Sequence, residues 1–525
     1  MSFEDKVAQA IRIMRTEKEI CKDYLPEESI HAGQNLVQST NGLYRDVLEK
    51  IVSMIKVEIP LDYPYSAVWW YSVLMGMDKD ADTFWEFIRY VKENRESFSV
   101  NTQYFLFYQL SSLLFRFKEL DGKSKEELWV FYREIVDEFS RYINPSLLEP
   151  IPVKERNKDM VVVITEQFIG IQHGPTKTAL DRCKTLIEKM GKKVLLINSA
   201  EVLSLVGKIP FWGTMQGIYS YEKLNETYQE WKGISVPYFQ CDNNMPNFSD
   251  VETILQTIRN LAPERIITIG KGGILGNLAA RMVPALTIGL CPSDLEYTCA
   301  KYQTLGRKLN NIDIDILSHM GYTKEHVIEG VFAYNLKEQT EHITRGELGI
   351  PENSFLIAVI GARLDCEVTD EFMKMLEDIL EENMRIVFIG NFEHYDEYVA
   401  SYPKLKTQSK YLGFCNDILS RTEICDLYVN PLRKGGGGSA VESMIKGVPV
   451  VSVNYGDVAV NAGEDFCVND YSDMKEMILK YSNNKSFYDI MSNKAKERAN
   501  VLLDADLELV RIIQEMDKRE EQCAL

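Results

Sequence analysis

The apolar positions of the first 150 residues recur at helical spacing. Two sets each fall on one face of a helix, namely Leu106, Leu110, Leu113, Leu114 and Phe117, and then Leu128, Tyr132, Ile135, Val136 and Phe139. Aromatic residues are dense in the same stretch, and packing between helices is the simplest explanation for them. The pattern predicts an all-helical domain over residues 1–154.

After three closely spaced prolines, short apolar runs begin to alternate with helical segments. This alternation is typical of a parallel sheet with helices on both faces. The predicted strands are Met160–Ile164, Val194–Ile197, Arg265–Ile269, Ala285–Ile288, Phe355–Ile360, Arg385–Ile389, Asp426–Val429 and Val448–Val451. The main predicted helices are Thr178–Met190, Thr369–Glu381 and Lys485–Arg519. We therefore predict an α/β chain with two doubly wound domains, 155–340 and 341–525, after the helical one.

Charge and cysteine usage restrict the class of protein. With a net charge of −19 over 525 residues, the chain is a poor partner for nucleic acid or an anionic membrane surface. No run of about 18 apolar residues predicts a transmembrane helix, and the N-terminal stretch lacks the apolar core of a signal peptide. The ten cysteines are scattered without zinc-site spacing, which favours reduced thiols and a cytoplasmic protein.

The most informative stretch is NPLRKGGGGSAVESMIKGVPVV, residues 430–451. Its pattern predicts a strand, a loop of four glycines, a helix and a second strand. Backbone N–H groups at such a helix start favour an anion, and Glu442 one turn later suits the hydroxyls of a ribose. A nucleoside diphosphate fits both halves. The predicted contacts in this stretch are Gly435, Gly436, Gly437, Gly438, Ser439 and Glu442.

Four further residues follow predicted strands of the same domain. Gly361 and Arg363 come after the first strand, Asn391 after the second, and Phe414 after a short apolar run. Ligands of open α/β sheets bind at the carboxyl ends of the strands, so we expect these residues to line one site with the glycine loop.

The order of Asn-Pro, glycines, Ser, Glu and Gly-Val-Pro-Val-Val resembles the donor site of GT-B glycosyltransferases, and the resemblance extends over about 155–520. It implies two Rossmann-like domains, a diphosphate contact at Arg363 and a base contact at Gly413–Phe414. The sequence departs from the motif of retaining members, because Lys434 replaces the first Glu and Val368 replaces a Lys. A cation at Lys434 suits a donor phosphate. The helical N-terminal region is also similar in architecture to cytoplasmic, adhesin-modifying glycosyltransferases.

The second doubly wound half supplies the donor site, and the first offers candidates for the acceptor side. Gln172 and His173 lie on the first strand–helix loop, where the imidazole suits a general base or a donor contact. Gly272, Gly273 and Asn277 form a glycine turn after another strand. Asp313-Ile-Asp315 has a D-x-D form used elsewhere for metals, but we expect neither an essential metal nor a cofactor.

The leading hypothesis is a metal-independent glycosyltransferase that moves a hexosyl or N-acetylhexosaminyl group from a UDP-linked donor to a protein or glycan. His173 and Lys434 are the predicted catalytic residues. A sugar-nucleotide epimerase and a non-catalytic partner subunit are the alternatives. Residues 1–150 are expected to serve acceptor recognition or homo-oligomerisation, so that a fragment starting near Asn157 keeps donor binding.

Overall fold

The computed structural model describes residues 2–17, 25–40, 43, 45–120, 123–171, 173–202, 206–214, 227–242 and 244–524. The chain divides into two compact units. The first contains residues 1–288, 297–302 and 312–326, and the second contains residues 289–296, 303–311 and 327–525. The predicted class, α/β with two mainly parallel sheets and a helical N-terminal region, is confirmed.

The first unit begins with helices. They are α1 (Phe3–Glu17), α2 (Glu27–Gln38), α3 (Arg45–Lys56), α4 (Pro64–Met77), α5 (Ala81–Glu93), α6 (Val100–Arg116), α7 (Lys123–Ser140) and α8 (Pro145–Leu148). Among the described residues, side-chain caps start three of them, since Asp80 accepts from Thr83 N–H, Ser99 accepts from Thr102 N–H and Asn144 accepts from Ser146 N–H. Helix α4 is apolar on nearly every face and correspondingly buried.

The sheet of the first unit follows directly. Its elements are β1 (Asn157–Thr165), α9 (Gly174–Glu188), β2 (Lys193–Asn198), β3 (Tyr228–Trp231), β4 (Ile234–Gln240), α10 (Phe248–Leu261), β5 (Pro263–Ile269), α11 (Gly273–Ala279) and β6 (Ala285–Ile288), with α12 (Asn311–His319) further on. The strand order is β3-β4-β2-β1-β5-β6, and all neighbours are parallel except β3 and β4. The four strands predicted here are confirmed, whereas the hairpin of β3 and β4 was not predicted.

Two buried aromatic side chains of helix α7 donate hydrogen bonds to backbone carbonyls elsewhere in the first unit. Trp129 Nε1 donates to Thr298 O at 2.9 Å, and Tyr132 Oη donates to Gly273 O at 3.1 Å. Both aromatic side chains are fully buried. The N-terminal helices and the first sheet therefore share a core.

The second unit contains the other parallel sheet. Its elements are β7 (Tyr302–Leu305, entering from the first unit), β8 (Val327–Glu329), β9 (Phe355–Gly361), α13 (Leu364–Glu367), α14 (Asp370–Ile379), β10 (Met384–Gly390), α15 (Tyr395–Ala400), α16 (Pro403–Gln408), β11 (Ser409–Gly413), α17 (Ile418–Thr422), β12 (Leu427–Val429), α18 (Gly437–Ile445), β13 (Val450–Val453), α19 (Gly456–Ala462), β14 (Cys467–Val468), α20 (Tyr471–Asn483), α21 (Lys485–Val501) and α22 (Ala505–Ala524). The main sheet has the order β11-β10-β9-β12-β13-β14 and is parallel throughout. Strands β7 and β8 pair in parallel with each other and are not part of this six-stranded sheet.

The single long helix predicted at the C-terminus is wrong, because the chain breaks between α21 and α22. Leu502 leaves the helix, and its carbonyl accepts from Tyr334 N–H at 2.7 Å. Asp504 then caps the next helix by accepting from Leu507 N–H at 2.8 Å. In the described part of the chain, no helix combines the length and apolarity that a membrane span needs.

Candidate functional site

The predicted donor residues lie at one edge of the second sheet. Arg363 follows β9, Asn391 follows β10, Phe414 follows β11 and the glycine loop follows β12. These four strands are neighbours in the order β11-β10-β9-β12. Since all are parallel, their carboxyl ends meet at the same edge, where open α/β sheets bind ligands.

The glycine loop leads directly into α18. Gly436 caps the helix with a φ of 95°, a left-handed conformation that favours glycine. Along the helix, Gly438, Ser439 and Glu442 are half-buried, whereas Ala440 and Val441 are buried. The half-buried positions share one face, so a ligand at the first-turn N–H groups also meets the Glu442 side of the helix.

Arg433, directly before the loop, was not predicted as a site residue. Its buried guanidinium donates to Ile360 O at 2.6 Å, Tyr428 Oη at 2.7 Å and Asn430 Oδ1 at 2.8 Å, and it forms a 2.5 Å ion pair with Glu367. These bonds connect the end of β12 to the end of β9. The signal was present as a cation beside the glycines, but two of its partners, Ile360 and Glu367, are distant in sequence.

The same guanidinium packs under two of the predicted glycines. A Cβ atom on Gly361 would lie 2.5 Å from Arg433 Nη1, and one on Gly436 would lie 2.6 Å from Nη2. Both glycines are therefore needed for the close approach of the backbone to Arg433. This accounts for their presence without reference to a ligand.

Arg363 has a half-exposed side chain, and Glu367 is its carboxylate partner. Arg363 Nε and Nη2 donate to Glu367 Oε1 at 3.1 and 2.8 Å. The other oxygen of the same carboxylate is the one that meets Arg433. One buried carboxylate thus bridges two guanidinium groups.

Lys434 is buried in an ion pair, with its ammonium 2.6 Å from Asp294 Oδ2. Close by, Asp457 accepts from the Ser293 hydroxyl at 2.7 Å and from Ser293 N–H at 3.2 Å. Burial raises the pKa of Asp457 to about 7. The predicted phosphate cation therefore has a carboxylate partner in this structure.

The remaining donor-side residues differ in exposure. Asn391 is exposed, and its Nδ2 donates to Ala362 O at 3.3 Å. The Phe414 side chain is 60% exposed, which suits an aromatic surface on which a base stacks. Tyr334 Oη accepts from Asn461 Nδ2 at 2.8 Å beside Gly437, and neither residue was predicted as part of the site.

His173, in the first unit, precedes α9 as its capping residue. Its Nδ1 lies 3.4 Å from Thr176 Oγ1. Burial and, to a lesser extent, the charge of Lys177 lower its pKa to about 4, so the imidazole is neutral at pH 7. Gln172 lies outside the described residues.

Gly272, Gly273 and Asn277 are buried and engaged within the first unit. Glu201 Oε1 accepts from Ile274 N–H at 3.0 Å, so a carboxylate of the chain already occupies the start of α11. Asn277 Nδ2 donates to Gly273 O at 2.6 Å, and its Oδ1 accepts from Cys299 N–H at 2.6 Å. Their acceptor-side role stays a prediction, and this geometry does not support it.

Glu201 is the most perturbed carboxyl group of this region. Burial raises its pKa to about 8, although the Ser199 hydroxyl and the N–H groups of α11 act in the opposite direction. Its Oε2 makes no well-formed hydrogen bond within the described residues. Sequence reasoning missed this residue because a lone Glu in a loop carries no motif.

Metal ligation has no geometric support among the residues described. They contain no group of three or more His, Cys, Asp or Glu side chains that could hold a metal ion. Asp313 and Asp315 both lie on α12, with the first buried and the second exposed. Positions two apart on a helix do not face each other, which argues against a shared ion.

Comparisons with known proteins agree with this geometry. Residues 341–498 match the model of the family described as glycosyl transferases group 1. No curated protein matches the sequence.

Solved structures match over a larger part of the chain. An O-GlcNAc transferase mutant from Thermobaculum terrenum is similar over 99% of both chains, with 10% identity and a TM-score of 0.55. A sucrose-phosphate synthase from Thermosynechococcus elongatus is similar over 70% of this chain and all of its own, at 11% identity and a TM-score of 0.52. A glycosyltransferase from Rickettsia africae covers 69% of this chain and 99% of its own, at 12% identity and a TM-score of 0.50. Structural similarity at such low sequence identity establishes the fold alone.

Proposed function

We propose that this chain, whose residues 341–498 form a group 1 glycosyltransferase domain within a GT-B fold, transfers a sugar from a nucleoside-diphosphate donor to an acceptor. The family match and the fold support glycosyl transfer. The observation that carries the proposal is the edge of the second sheet, where Arg363, the glycine loop and Glu442 follow adjacent strands.

The chemistry of this edge suits a leaving diphosphate. The first-turn N–H groups of α18 and the Arg363 guanidinium would stabilise the negative charge that develops on the phosphates. Lys434 would add a cation once its ammonium exchanges Asp294 for a phosphate oxygen. With these groups doing the work of a Lewis acid, we propose transfer that is independent of metal.

The two ends of the donor are assigned to different side chains. Glu442, on the half-buried face of α18, would accept hydrogen bonds from the ribose hydroxyls. The exposed Phe414 ring would stack on the base, with Asn391 beside it. We propose UDP from the resemblance of the donor motif, carrying a hexose or an N-acetylhexosamine.

The acceptor side is assigned to the first unit. We propose that His173 orients the donor or assists deprotonation of an acceptor hydroxyl or amide on a protein or glycan. A pKa of about 4 makes its neutral imidazole a weak base, which favours the orienting role. That the similar Thermobaculum terrenum structure is an O-GlcNAc transferase motivates testing protein acceptors first.

Calorimetry of the Glu442→Ala variant tests the donor site. We expect UDP binding to weaken about tenfold, because the ribose loses a charged acceptor. Glu476→Ala, an exposed carboxylate on α20, is the matched control and should bind as the wild type does. Unchanged binding in Glu442→Ala would contradict the ribose assignment.

One observation favours a second candidate, a non-catalytic partner subunit. Lys434, the predicted phosphate-binding cation, is paired with Asp294, so this ion pair would have to break before the ammonium could bind a phosphate. A thermal-shift screen of UDP, GDP and ADP separates the two, since a subunit without a donor site shows no shift with any of them. Incubation with donor alone detects an epimerase as an isomerised nucleotide sugar.

The setting of the reaction is proposed on composition. We propose a cytoplasmic protein, in keeping with the free thiols found among the described cysteines. A homo-oligomer is also proposed, and light scattering of the purified full chain measures it.

A further inference from the structure

We infer that Glu367 and Arg433 are positioning residues that hold Arg363 and the glycine loop in one fixed geometry for the donor diphosphate. This inference rests on the proposed function. Neither residue belongs to the predicted donor contacts, and both are buried below the surface that a diphosphate would touch.

The first step is the anchoring of Arg433. Its guanidinium has four partners from two strand ends and one helix, with Ile360 on β9, Tyr428 on β12, Asn430 just after β12, and the Glu367 carboxylate on α13. A planar fork with this many fixed acceptors has one orientation. Arg433 is therefore a rigid support and not a mobile cation.

The second step is the contact of that support with the glycine loop. A Cβ atom added to Gly436 would lie only 2.6 Å from Arg433 Nη2, so the guanidinium packs directly against this glycine. Gly436 is the residue that caps α18, so the position of the helix start depends on the guanidinium beneath it. The N–H groups proposed to meet the phosphates are the next ones along the chain.

The third step is the carboxylate bridge. Glu367 Oε2 pairs with Arg433, and Glu367 Oε1 accepts two bonds from Arg363, at 3.1 and 2.8 Å. Glu367 is buried, whereas the Arg363 side chain is half-exposed. The bridge therefore fixes an exposed cation relative to a buried one.

The charges of the three groups are consistent with this role. Arg433 and Glu367 neutralise each other inside the protein, which a buried pair requires. Arg363 then leaves one net positive charge at the edge of the sheet, at the end of β9. Because the Arg363 guanidinium is already ordered, its side chain loses less conformational entropy when it forms charge-assisted hydrogen bonds to a phosphate.

The test compares a nucleoside diphosphate with its parent nucleoside. UDP, GDP and ADP are screened against the wild type by calorimetry, and the tightest is measured with its nucleoside on the Glu367→Gln variant. The amide Nε2 of Gln cannot accept from a guanidinium, so the bridge is broken at one end. We expect affinity for the diphosphate to fall about tenfold while affinity for the nucleoside stays the same.

A double-mutant cycle identifies the route of the effect. In the Arg363→Gln background, Glu367→Gln should lower diphosphate affinity by about threefold or less, because Arg363 is already gone and only the support of the glycine loop through Arg433 remains. Tyr428→Phe removes one partner of Arg433 with little change in shape. It should weaken diphosphate binding about threefold, and it provides a second reading if Glu367→Gln folds poorly.

Asp378→Asn is the matched control, since it breaks the exposed 3.5 Å pair with Lys475 in the same unit. It should bind as the wild type does. The positioning role is overturned, while the proposed function stands, if Glu367→Gln weakens diphosphate and nucleoside binding equally. It is also overturned if Glu367→Gln costs as much diphosphate affinity in the Arg363→Gln background as it does in the wild type. Absence of binding by the wild type to all three diphosphates overturns both.

Discussion

The ammonium of Lys434 lies 2.6 Å from the carboxylate of Asp294, although the two residues are far apart in the chain. Lys434 directly precedes the four glycines of the proposed phosphate site. The ammonium that a donor diphosphate would use is therefore already paired with the carboxylate of Asp294. Binding of the donor at Lys434 requires competition with Asp294.

Asp294→Asn is expected to tighten diphosphate binding. The amide removes the competing charge, so Lys434 is available to phosphate, and we expect a gain of about threefold to tenfold by calorimetry. Without nucleotide, the same variant should lose about 1–3 kcal/mol of stability, because a buried ammonium loses its counter-ion. Weaker binding would contradict the competition and indicate instead that Asp294 orients the ammonium.

Glu201→Gln is expected to change the pH dependence of stability. The folded-state pKa of about 8 lies above the ordinary value of 4.5, so the native state binds more protons than the unfolded state between these values. Wild-type stability therefore falls as pH rises through this window. The contribution has an upper bound of about 5 kcal/mol, reached above pH 8.

The Gln side chain does not titrate, and its carbonyl can still accept from Ile274 N–H. We expect the thermal midpoint of Glu201→Gln, relative to wild type, to rise by about 5 °C between pH 5.5 and pH 8.5. Glu230→Gln, an exposed carboxylate on β3, controls for surface charge. A constant difference between the Glu201→Gln and wild-type midpoints across this range would mean that Glu201 is ionised throughout.

The pH–rate profile is expected to show no limb from His173 near pH 6.5. A pKa of about 4 keeps its imidazole neutral across pH 5.5–8, so its contribution to rate is constant there. His173→Asn should lower kcat about tenfold to a hundredfold at every pH of this range. His31→Asn, on the exposed side of α2, is the control, and a limb near 6.5 that disappears only in His173→Asn would contradict the lowered pKa.

Removal of residues 1–156 is expected to prevent folding of the first unit. The hydrogen bonds from Trp129 and Tyr132 to Thr298 and Gly273 would be lost. The apolar surface that packs around these two aromatic side chains would then be exposed to water. We expect the fragment starting at Asn157 to aggregate, and co-expression of residues 1–156 to recover soluble material. A monomeric fragment with cooperative unfolding would show that the helices are dispensable for folding, in agreement with the prediction from the sequence.

Local sequence determines much of the proposed donor site. The strand before the glycines, the left-handed Gly436 and the start of α18 all depend on neighbours in the chain, so pattern and spacing were sufficient. The placement of Arg363, Asn391 and Phe414 at one edge followed from the parallel order of the strands. Their chemical roles remain predictions.

What the sequence could not provide depends on distant partners. Arg433 is recognisable as a support only once Ile360 and Glu367 are known to surround it. The partner of Lys434 lies in a segment of no recognisable motif. The break after α21 was different, because Asp504 is a local capping signal that the helical periodicity of its surroundings concealed.

The division of the chain into two units has a spectroscopic consequence. All six tryptophans lie within residues 1–288, and therefore in the first unit. Indole fluorescence thus reports the melting of the helices and the first sheet alone, while the proposed donor site is seen only through tyrosine and far-ultraviolet circular dichroism. A nucleotide that shifts the dichroism transition without shifting the fluorescence transition would therefore be stabilising the second unit independently of the first.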